Sequence, residues 1–129
     1  VAVLLPGCNF FLNQDKAAPA RRLLDHGVDV ALSTDFNPGS CCTEALHLIV
    51  TMGCLRYGLS PEEAVRSVTT SAARALDLDE GGTLLPGQRA DAVILDVPNV
   101  EAWPYLFGMS HMRCTMVGGE IVDQREGQR

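Results

Sequence analysis

The chain has 129 residues, enough for one domain with a core, and a formal net charge of −6. Lys and Arg number 10 against 16 Asp and Glu, which argues against nucleic acid, because phosphate binding needs clustered basic side chains. No apolar run approaches the roughly 20 residues of a membrane span, and no signal-peptide pattern is found.

The cysteines predict reduced thiols rather than a disulfide framework. There are five of them, Cys41 and Cys42 are adjacent, and no C-x-x-C zinc pair occurs. This usage predicts a cytoplasmic protein. The abrupt apolar beginning at Val1 leads us to expect that the chain is one piece of a longer protein.

The first third of the chain predicts a strand, a helix and a second parallel strand. Apolar runs at residues 1–5 and 28–32 are typical of strands covered on both faces. Between them, residues 8–15 have no clear period and are expected to form a loop. Residues 20–26 are expected to form a helix that Gly27 caps. Such a unit makes a parallel sheet with a right-handed crossover.

The middle of the chain predicts two consecutive helices. Apolar residues recur at helical spacing over residues 43–57. The next helix has a strong start, because Ser60 can cap it, Pro61 suits its first turn and Glu63 completes a capping box. We expect this helix to continue without interruption to about Leu76.

From residue 79 the composition changes towards turns and short strands. The pair Gly118-Gly119 predicts a two-residue hairpin turn between the last two strands. We therefore divide the chain into an α/β part, residues 1–77, and a small β layer, residues 78–129. The elements expected in the β layer are a turn-rich segment at 80–89, strands at 90–96, 112–117 and 120–123, a short irregular or helical connection at 101–109, and a polar tail at 124–129.

The candidate functional site is the segment STDFNPGS, residues 33–40. Asp35 follows an apolar strand, and ligands bind at the carboxyl ends of parallel strands. Its carboxylate could bind a metal or carry a proton, or it could cap the next helix or form a turn before Pro38. The amide of Asn37 and the backbone of Gly39 and Ser40 could grip a carboxylate or a ring, or could form a simple turn.

The other polar motifs favour structural roles. His26 is expected to end a helix, His47 to lie on one, and His111 to be structural. No His-x-His occurs, and no His pairs with a Cys in a pattern that would make a nucleophile. The Gly-Gly pairs lack the following helix of a phosphate-binding loop.

Three stretches together resemble the amidohydrolase superfamily. Ser33-Thr34-Asp35 is similar to the end of its eighth barrel strand, residues 61–76 to its closing helices, and residues 82–91 to its C-terminal signature. The resemblance implies an α/β fold that is the C-terminal part of a TIM-type (β/α)8 metal-dependent hydrolase barrel. Residues 1–77 would belong to that barrel, and residues 78–129 to a segment of an accessory β-sandwich.

Within the superfamily, residues 1–7 and 31–40 are similar to the imidazolonepropionase family. This implies hydrolysis of 4-imidazolone-5-propanoate to N-formimidoyl-L-glutamate in histidine degradation. It also implies that Asp35 is a metal ligand and proton carrier. The residues implied to bind substrate are Asn37, Gly39 and Ser40.

The implied cofactor is one Zn or Fe ion. A His-x-His and the other metal ligands would lie upstream of this chain, so that these residues alone are expected to be inactive. The expected partners are a small-molecule substrate and the rest of the same enzyme, with a homodimer as a further option. Neither a nucleic-acid nor a membrane partner is expected.

Two alternatives stay open. The first is another cyclic amidohydrolase, or an aminohydrolase acting on a purine or triazine. The second is a non-catalytic α/β module that binds a small acid at the Asp35 loop. The feature that favours the imidazolonepropionase family is the run Asn37-Pro38-Gly39-Ser40 directly after Asp35.

Overall fold

The computed structural model describes residues 1–125, which form two small sheets and six helices. The strands are β1 (Ala2–Leu4), β2 (Val30–Leu32), β3 (Ala92–Leu95), β4 (Met112–Val117) and β5 (Glu120–Gln124). The helices are α1 (Pro6–Phe11), α2 (Ala20–Asp25), α3 (Leu46–Tyr57), α4 (Pro61–Ser67), α5 (Thr70–Ala75) and α6 (Ala102–Tyr105). Of the expected polar tail, residues 126–129 lie outside the described residues.

β1 and β2 form the predicted parallel pair. Ala2 lies opposite Val30 and Leu4 opposite Leu32, with α2 in the crossover between the strands. β2 is buried along its whole length, as the apolar run predicts. β1 is covered on one face only, because Val3 is 51 % exposed in the part of the chain that the structure describes. The parallel pair and the helices that follow each strand confirm the α/β class.

The expected loop over residues 8–15 is wrong in its first half, because α1 begins at Pro6 and continues to Phe11. Proline suits a first helical turn, since its missing N–H would have had no helical partner. Tertiary packing then holds the helix: a Cβ added to Gly7 would lie 2.6 Å from Cys41 Sγ and 3.0 Å from Ile49 Cδ1. The spacing of apolar residues within the segment does not predict these contacts, because the partners Cys41 and Ile49 lie elsewhere in the sequence.

The expected continuous helix from Pro61 is interrupted. α4 ends at Ser67 and α5 begins at Thr70, because Thr69 has the non-helical angles φ −124° and ψ −94°. The chain packs closely at this break, where a Cβ added to Gly82 would lie 2.7 Å from the Thr69 carbonyl oxygen. The later segment around Gly82 thus packs against the point where the helix ends.

The core lies between the parallel pair and the helices around it. α3 contributes Ile49 and Val50, which are each 0 % exposed. Gly58, at φ 67°, caps α3 in the left-handed conformation. The buried cluster comprises Leu4, Ala20, Val30, Leu32, Ile49, Val50, Tyr57, Leu59 and Ala64.

The β layer contains the predicted hairpin. β3, β4 and β5 are antiparallel neighbours in that order, and the turn between β4 and β5 has positive φ at Gly118 (59°) and Gly119 (87°). α6 lies in the segment expected to be irregular or helical. Thr51 of α3 connects this part to the core, since its hydroxyl donates a buried hydrogen bond of 2.9 Å to the Pro104 carbonyl.

Several apolar side chains of the β layer are uncovered. Val93, Ile94, Ile121 and Val122 are each more than half exposed. All five cysteines are unpaired in the structure. Within residues 1–125, no helix is both long and apolar enough to cross a membrane.

The capping box at the start of α4 is confirmed. Glu63 N donates to Ser60 Oγ at 3.2 Å, and Ser60 N donates to a Glu63 carboxylate oxygen at 2.8 Å. Two further hydrogen bonds, of 2.8 and 2.9 Å, come from the Arg21 guanidinium, so this carboxylate also links α4 to α2. The Arg21 hydrogen bonds, with that from Ser60, hold the pKa of Glu63 below its usual value.

We expect Glu63→Gln to lower the free energy of unfolding by about 1 kcal/mol at neutral pH, because the charged link to Arg21 is lost. The pKa of Glu63 is lower in the folded state, so its contribution is complete well above the usual value of 4.5 and disappears as the pH falls below it. Urea unfolding of both proteins at neutral and acidic pH measures this. Asp25→Asn, which removes only an exposed contact with Arg21, is the control. Equal losses in the two variants would contradict the prediction.

Candidate active site

Asp35 lies at the edge of the parallel pair where both strands end. β2 ends at Leu32, three residues earlier, and β1 leads into α1 at the same edge because the strands are parallel. Asp35 has φ 49°, a left-handed conformation that is uncommon for residues other than glycine. Its N–H donates to Ser33 Oγ at 3.1 Å. Such backbone outliers cluster at functional sites, which favours a functional role for this position.

One oxygen of the Asp35 carboxylate is held by hydrogen bonds. Cys8 Sγ donates to Asp35 Oδ2 at 3.0 Å, and Asn37 Nδ2 lies 3.3 Å from the same oxygen. Asn37 Nδ2 also donates to the Asp35 carbonyl at 2.6 Å. Among the hydrogen bonds of residues 1–125, none reaches Asp35 Oδ1. The carboxylate therefore keeps one oxygen for a ligand or a proton.

The three residues expected to bind substrate form a single turn. Asn37 Oδ1 accepts hydrogen bonds from Gly39 N and Ser40 N, both at 2.8 Å. Asn37 Nδ2 donates to Ser40 Oγ at 3.0 Å, and Asn37 and Cys41 pair as an antiparallel bridge. The turn that was the structural alternative thus exists, and it occupies the N–H groups of Gly39 and Ser40. Substrate contact by these residues stays a prediction.

Cys8 contacts Asp35, and the sequence reasoning did not predict this contact. Its thiol is partly exposed and lies between Asp35 Oδ2 and Ser40 Oγ, 3.3 Å from the latter. The Ser40 hydroxyl favours the thiolate, yet the Asp35 carboxylate and burial together raise the pKa of Cys8. The sequence signal for this contact is the position of Cys8 shortly after the first strand. Because the two strands are parallel, both Cys8 and Asp35 follow a strand at the same edge of the sheet.

None of the three histidines hydrogen-bonds to the Asp35 loop. His26 Nδ1 lies 2.7 Å from the Arg22 carbonyl at the end of α2, and His111 Nε2 lies 3.1 Å from the Leu106 carbonyl. Burial, and then the charge of His111, lower the pKa of His47. These contacts suit structural roles.

A large cavity lies away from the Asp35 loop, between α3, α4 and the β layer. Its volume is about 970 Å³, and its lining includes Val65, Trp103, Met116 and the two histidines His47 and His111. None of residues 35–40 lines it. Size alone would make it the first candidate for a binding site. The carboxylate, amide and hydroxyl groups converge at the Asp35 loop instead, which makes that loop the stronger candidate for a catalytic site.

The Asp35 carboxylate could supply one ligand of a metal site. A carboxylate oxygen suits Zn or Fe, and Asp35 Oδ1 is free to supply it. In the described part of the chain, no group of three or more His, Cys, Asp or Glu side chains could hold an ion. The chain can therefore supply part of a metal site, and the other ligands would have to come from elsewhere.

Comparison with known proteins identifies the class. The amidohydrolase family model matches residues 9–122, so the chain belongs to the amidohydrolase family, whose members are metal-dependent. Its fold matches that of an atrazine chlorohydrolase from Arthrobacter aurescens complexed with zinc, with a TM-score of 0.80 at 21 % identity. That match covers 95 % of this chain and 31 % of the other.

The more similar relatives are imidazolonepropionases. The chain is 47 % identical over 123 residues to that of Geobacillus sp. strain WCH70, covering 95 % of this chain and 29 % of the relative. It is 44 % identical over 126 residues to that of Alkaliphilus oremlandii, covering 97 % and 30 %. The chain thus spans about 30 % of the length of these relatives. The resemblance carried by residues 1–7 and 31–40 is confirmed.

Proposed function

We propose that this chain is the C-terminal part of an imidazolonepropionase, which hydrolyses 4-imidazolone-5-propanoate to N-formimidoyl-L-glutamate in histidine degradation. The observation that carries the proposal is the Asp35 loop, where a carboxylate with one free oxygen adjoins the Asn37 turn at the end of a parallel strand. Identity of 44–47 % to imidazolonepropionases supports the choice of substrate.

In this proposal, residues 1–77 supply the last strands and helices of a (β/α)8 barrel, and residues 78–129 supply part of a β-sandwich beside it. The uncovered apolar side chains support this arrangement, because the rest of the enzyme would bury them. They lie on β1 (Val3), on β3 (Val93 and Ile94) and on β5 (Ile121 and Val122).

The proposed cofactor is one Zn or Fe ion, with Asp35 as one ligand and a His-x-His among the ligands from the preceding part of the enzyme. When bound, the ion would activate a water molecule by lowering its pKa towards about 7 and would polarise the ring carbonyl. The five unpaired cysteines support a cytoplasmic location. Association into a homodimer is a further option.

Asp35 would carry the protons of the reaction. Its carboxylate would accept a proton from water as the water oxygen bonds to the ring carbonyl carbon. The bond between that carbon and the ring nitrogen then breaks, and Asp35 would deliver the proton to the leaving nitrogen. No net proton remains on Asp35, so the carboxylate is ready for another turnover.

The Asn37 turn would orient the substrate. The propanoate needs hydrogen-bond donors, and the turn concentrates the Asn37 amide, the Ser40 hydroxyl and two backbone N–H groups beside Asp35. Because Asn37 Oδ1 already holds the N–H groups of Gly39 and Ser40, the substrate would have to share or displace these hydrogen bonds. The turn thereby fixes the distance between the proton carrier and the groups that bind substrate.

The full-length gene product tests this function. We expect it to hydrolyse 4-imidazolone-5-propanoate with a kcat/KM at least about 100-fold above that for any purine or triazine substrate. We also expect a chelator to abolish turnover and Zn or Fe to restore it. Product analysis should find N-formimidoyl-L-glutamate. Preferential deamination of a purine or triazine would favour the aminohydrolase alternative, and a metal-free protein without turnover would favour the small-acid-binding module.

A further inference from the structure

We propose that Cys8 is a positioning residue for Asp35: its thiol holds one carboxylate oxygen so that the other is presented to the metal ion and the reacting water. The inference rests on the proposed function, and it adds a residue from a different part of the fold. Cys8 belongs to α1, which follows β1, whereas Asp35 follows β2. The thiol therefore joins the ends of two neighbouring strands.

The hydrogen bonds form a connected network from the turn to the carboxylate. The Asn37 amide donates to Ser40 Oγ at 3.0 Å, Ser40 Oγ lies 3.3 Å from Cys8 Sγ, and Cys8 Sγ donates to Asp35 Oδ2 at 3.0 Å. The thiol donates its one proton to the carboxylate, and the Ser40 hydroxyl lies 3.3 Å from both the sulfur and Asn37 Oδ1. Cys8 and Asn37 both donate to Oδ2, and the Ser40 hydroxyl contacts the side chains of both.

Gly7 provides a separate observation that Cys8 is fixed in place. A Cβ on Gly7 would lie 2.6 Å from Cys41 Sγ and 3.0 Å from Ile49 Cδ1, so α1 sits directly against α3 and the end of the Asn37 turn. Ile49 is fully buried. Because Gly7 is locked against the core, its neighbour Cys8 cannot move far from the carboxylate.

Replacing the thiol by a side chain without a donor would leave Oδ2 with a single side-chain contact, the 3.3 Å contact from Asn37. The carboxylate could then rotate and exchange its two oxygens. A ligating carboxylate depends on such partners, and removing one typically costs about 10-fold to 100-fold in metal affinity or activity. A weak thiol donor places the expected effect near the lower end of that range.

The test compares Cys8→Val, which replaces the thiol by an apolar side chain without a donor, with Cys8→Ser, which restores a donor, in the full-length protein. Cys54→Val is the matched control, since Cys54 is a partly buried thiol of α3. Two properties are measured: the steady-state kinetics of imidazolonepropanoate hydrolysis, and metal affinity by competition with a chelator. Circular dichroism verifies that each variant is folded.

For Cys8→Val we expect about 10-fold lower kcat with KM within about 2-fold, and about 10-fold weaker metal binding. Cys8→Ser should recover most of both losses, and Cys54→Val should resemble the wild type. Equal properties of Cys8→Val and the wild type would overturn the proposal, as would equal losses in the Val and Ser variants. Weaker metal binding by Cys8→Val alone, in a protein that does not hydrolyse imidazolonepropanoate, would support the positioning role and reject the proposed function.

Discussion

Replacing Asp35 by Asn in the full-length enzyme is expected to reduce kcat/KM for imidazolonepropanoate hydrolysis by about 10³-fold or more. Asn has the shape of Asp but can neither accept the water proton nor act as an anionic metal ligand. It also tolerates the left-handed conformation, φ 49°, that this position requires. The fold should therefore survive, and steady-state kinetics with metal analysis measures the loss.

Asp25→Asn is the matched control for this substitution, because it makes the same chemical change at an exposed position of α2. We expect wild-type kinetics and metal content for that variant, and unchanged circular dichroism for both. Turnover by Asp35→Asn within about 10-fold of the wild type would remove Asp35 from the mechanism. Lost turnover with full metal content would point to the proton-carrying role rather than to the ligand role.

The local parts of the fold follow from the sequence. Apolar runs predict the parallel strands. The capping box follows from Ser60 and the Glu three positions later, and the hairpin follows from Gly118-Gly119. In each case the residues that decide the structure are close together in the chain. The division at residue 77 and the barrel and sandwich assignments stay predictions.

The missed features depend on residues that are distant in the chain. α1 is held by the approach of Gly7 to Cys41 and Ile49, and the break between α4 and α5 lies where Gly82 approaches Thr69. Helical periodicity reports which face of a segment is apolar, not what will pack against it. Such contacts appear only once the fold brings the segments together.

For the candidate site too, residues close together in the chain could be predicted, and contacts between distant residues could not. Asp35 and the Asn37 turn could be found because they form one short segment at the end of a strand. Cys8 was harder to find, since it is 27 positions from Asp35 and its position after the first strand is the signal that links the two. The internal hydrogen bonds of the turn were also hidden, because donor and acceptor roles depend on side-chain geometry.

Gly82→Ala is expected to lower the free energy of unfolding by about 3 kcal/mol. Two costs combine. Gly82 has φ 79°, which disfavours any residue with a Cβ, and that Cβ would lie 2.7 Å from the Thr69 carbonyl oxygen and 2.9 Å from its carbonyl carbon. These are backbone atoms, so no side-chain rotation can relieve the contact. Either the segment around Gly82 or the break between α4 and α5 must move.

Gly87→Ala separates the two costs. Gly87 has φ 86° in the same turn-rich segment, but its added Cβ would meet no atom within 4 Å. We therefore expect a loss of about 1 kcal/mol there, from the backbone conformation alone. Urea unfolding measures the free energy of unfolding of both variants, and the difference between the two losses is the cost of the contact with Thr69. Equal losses would mean that the break between α4 and α5 can move with no loss of stability. A displaced break would also shift α5, which packs against β2, so Gly82→Ala alone should disturb the strand from which Asp35 extends.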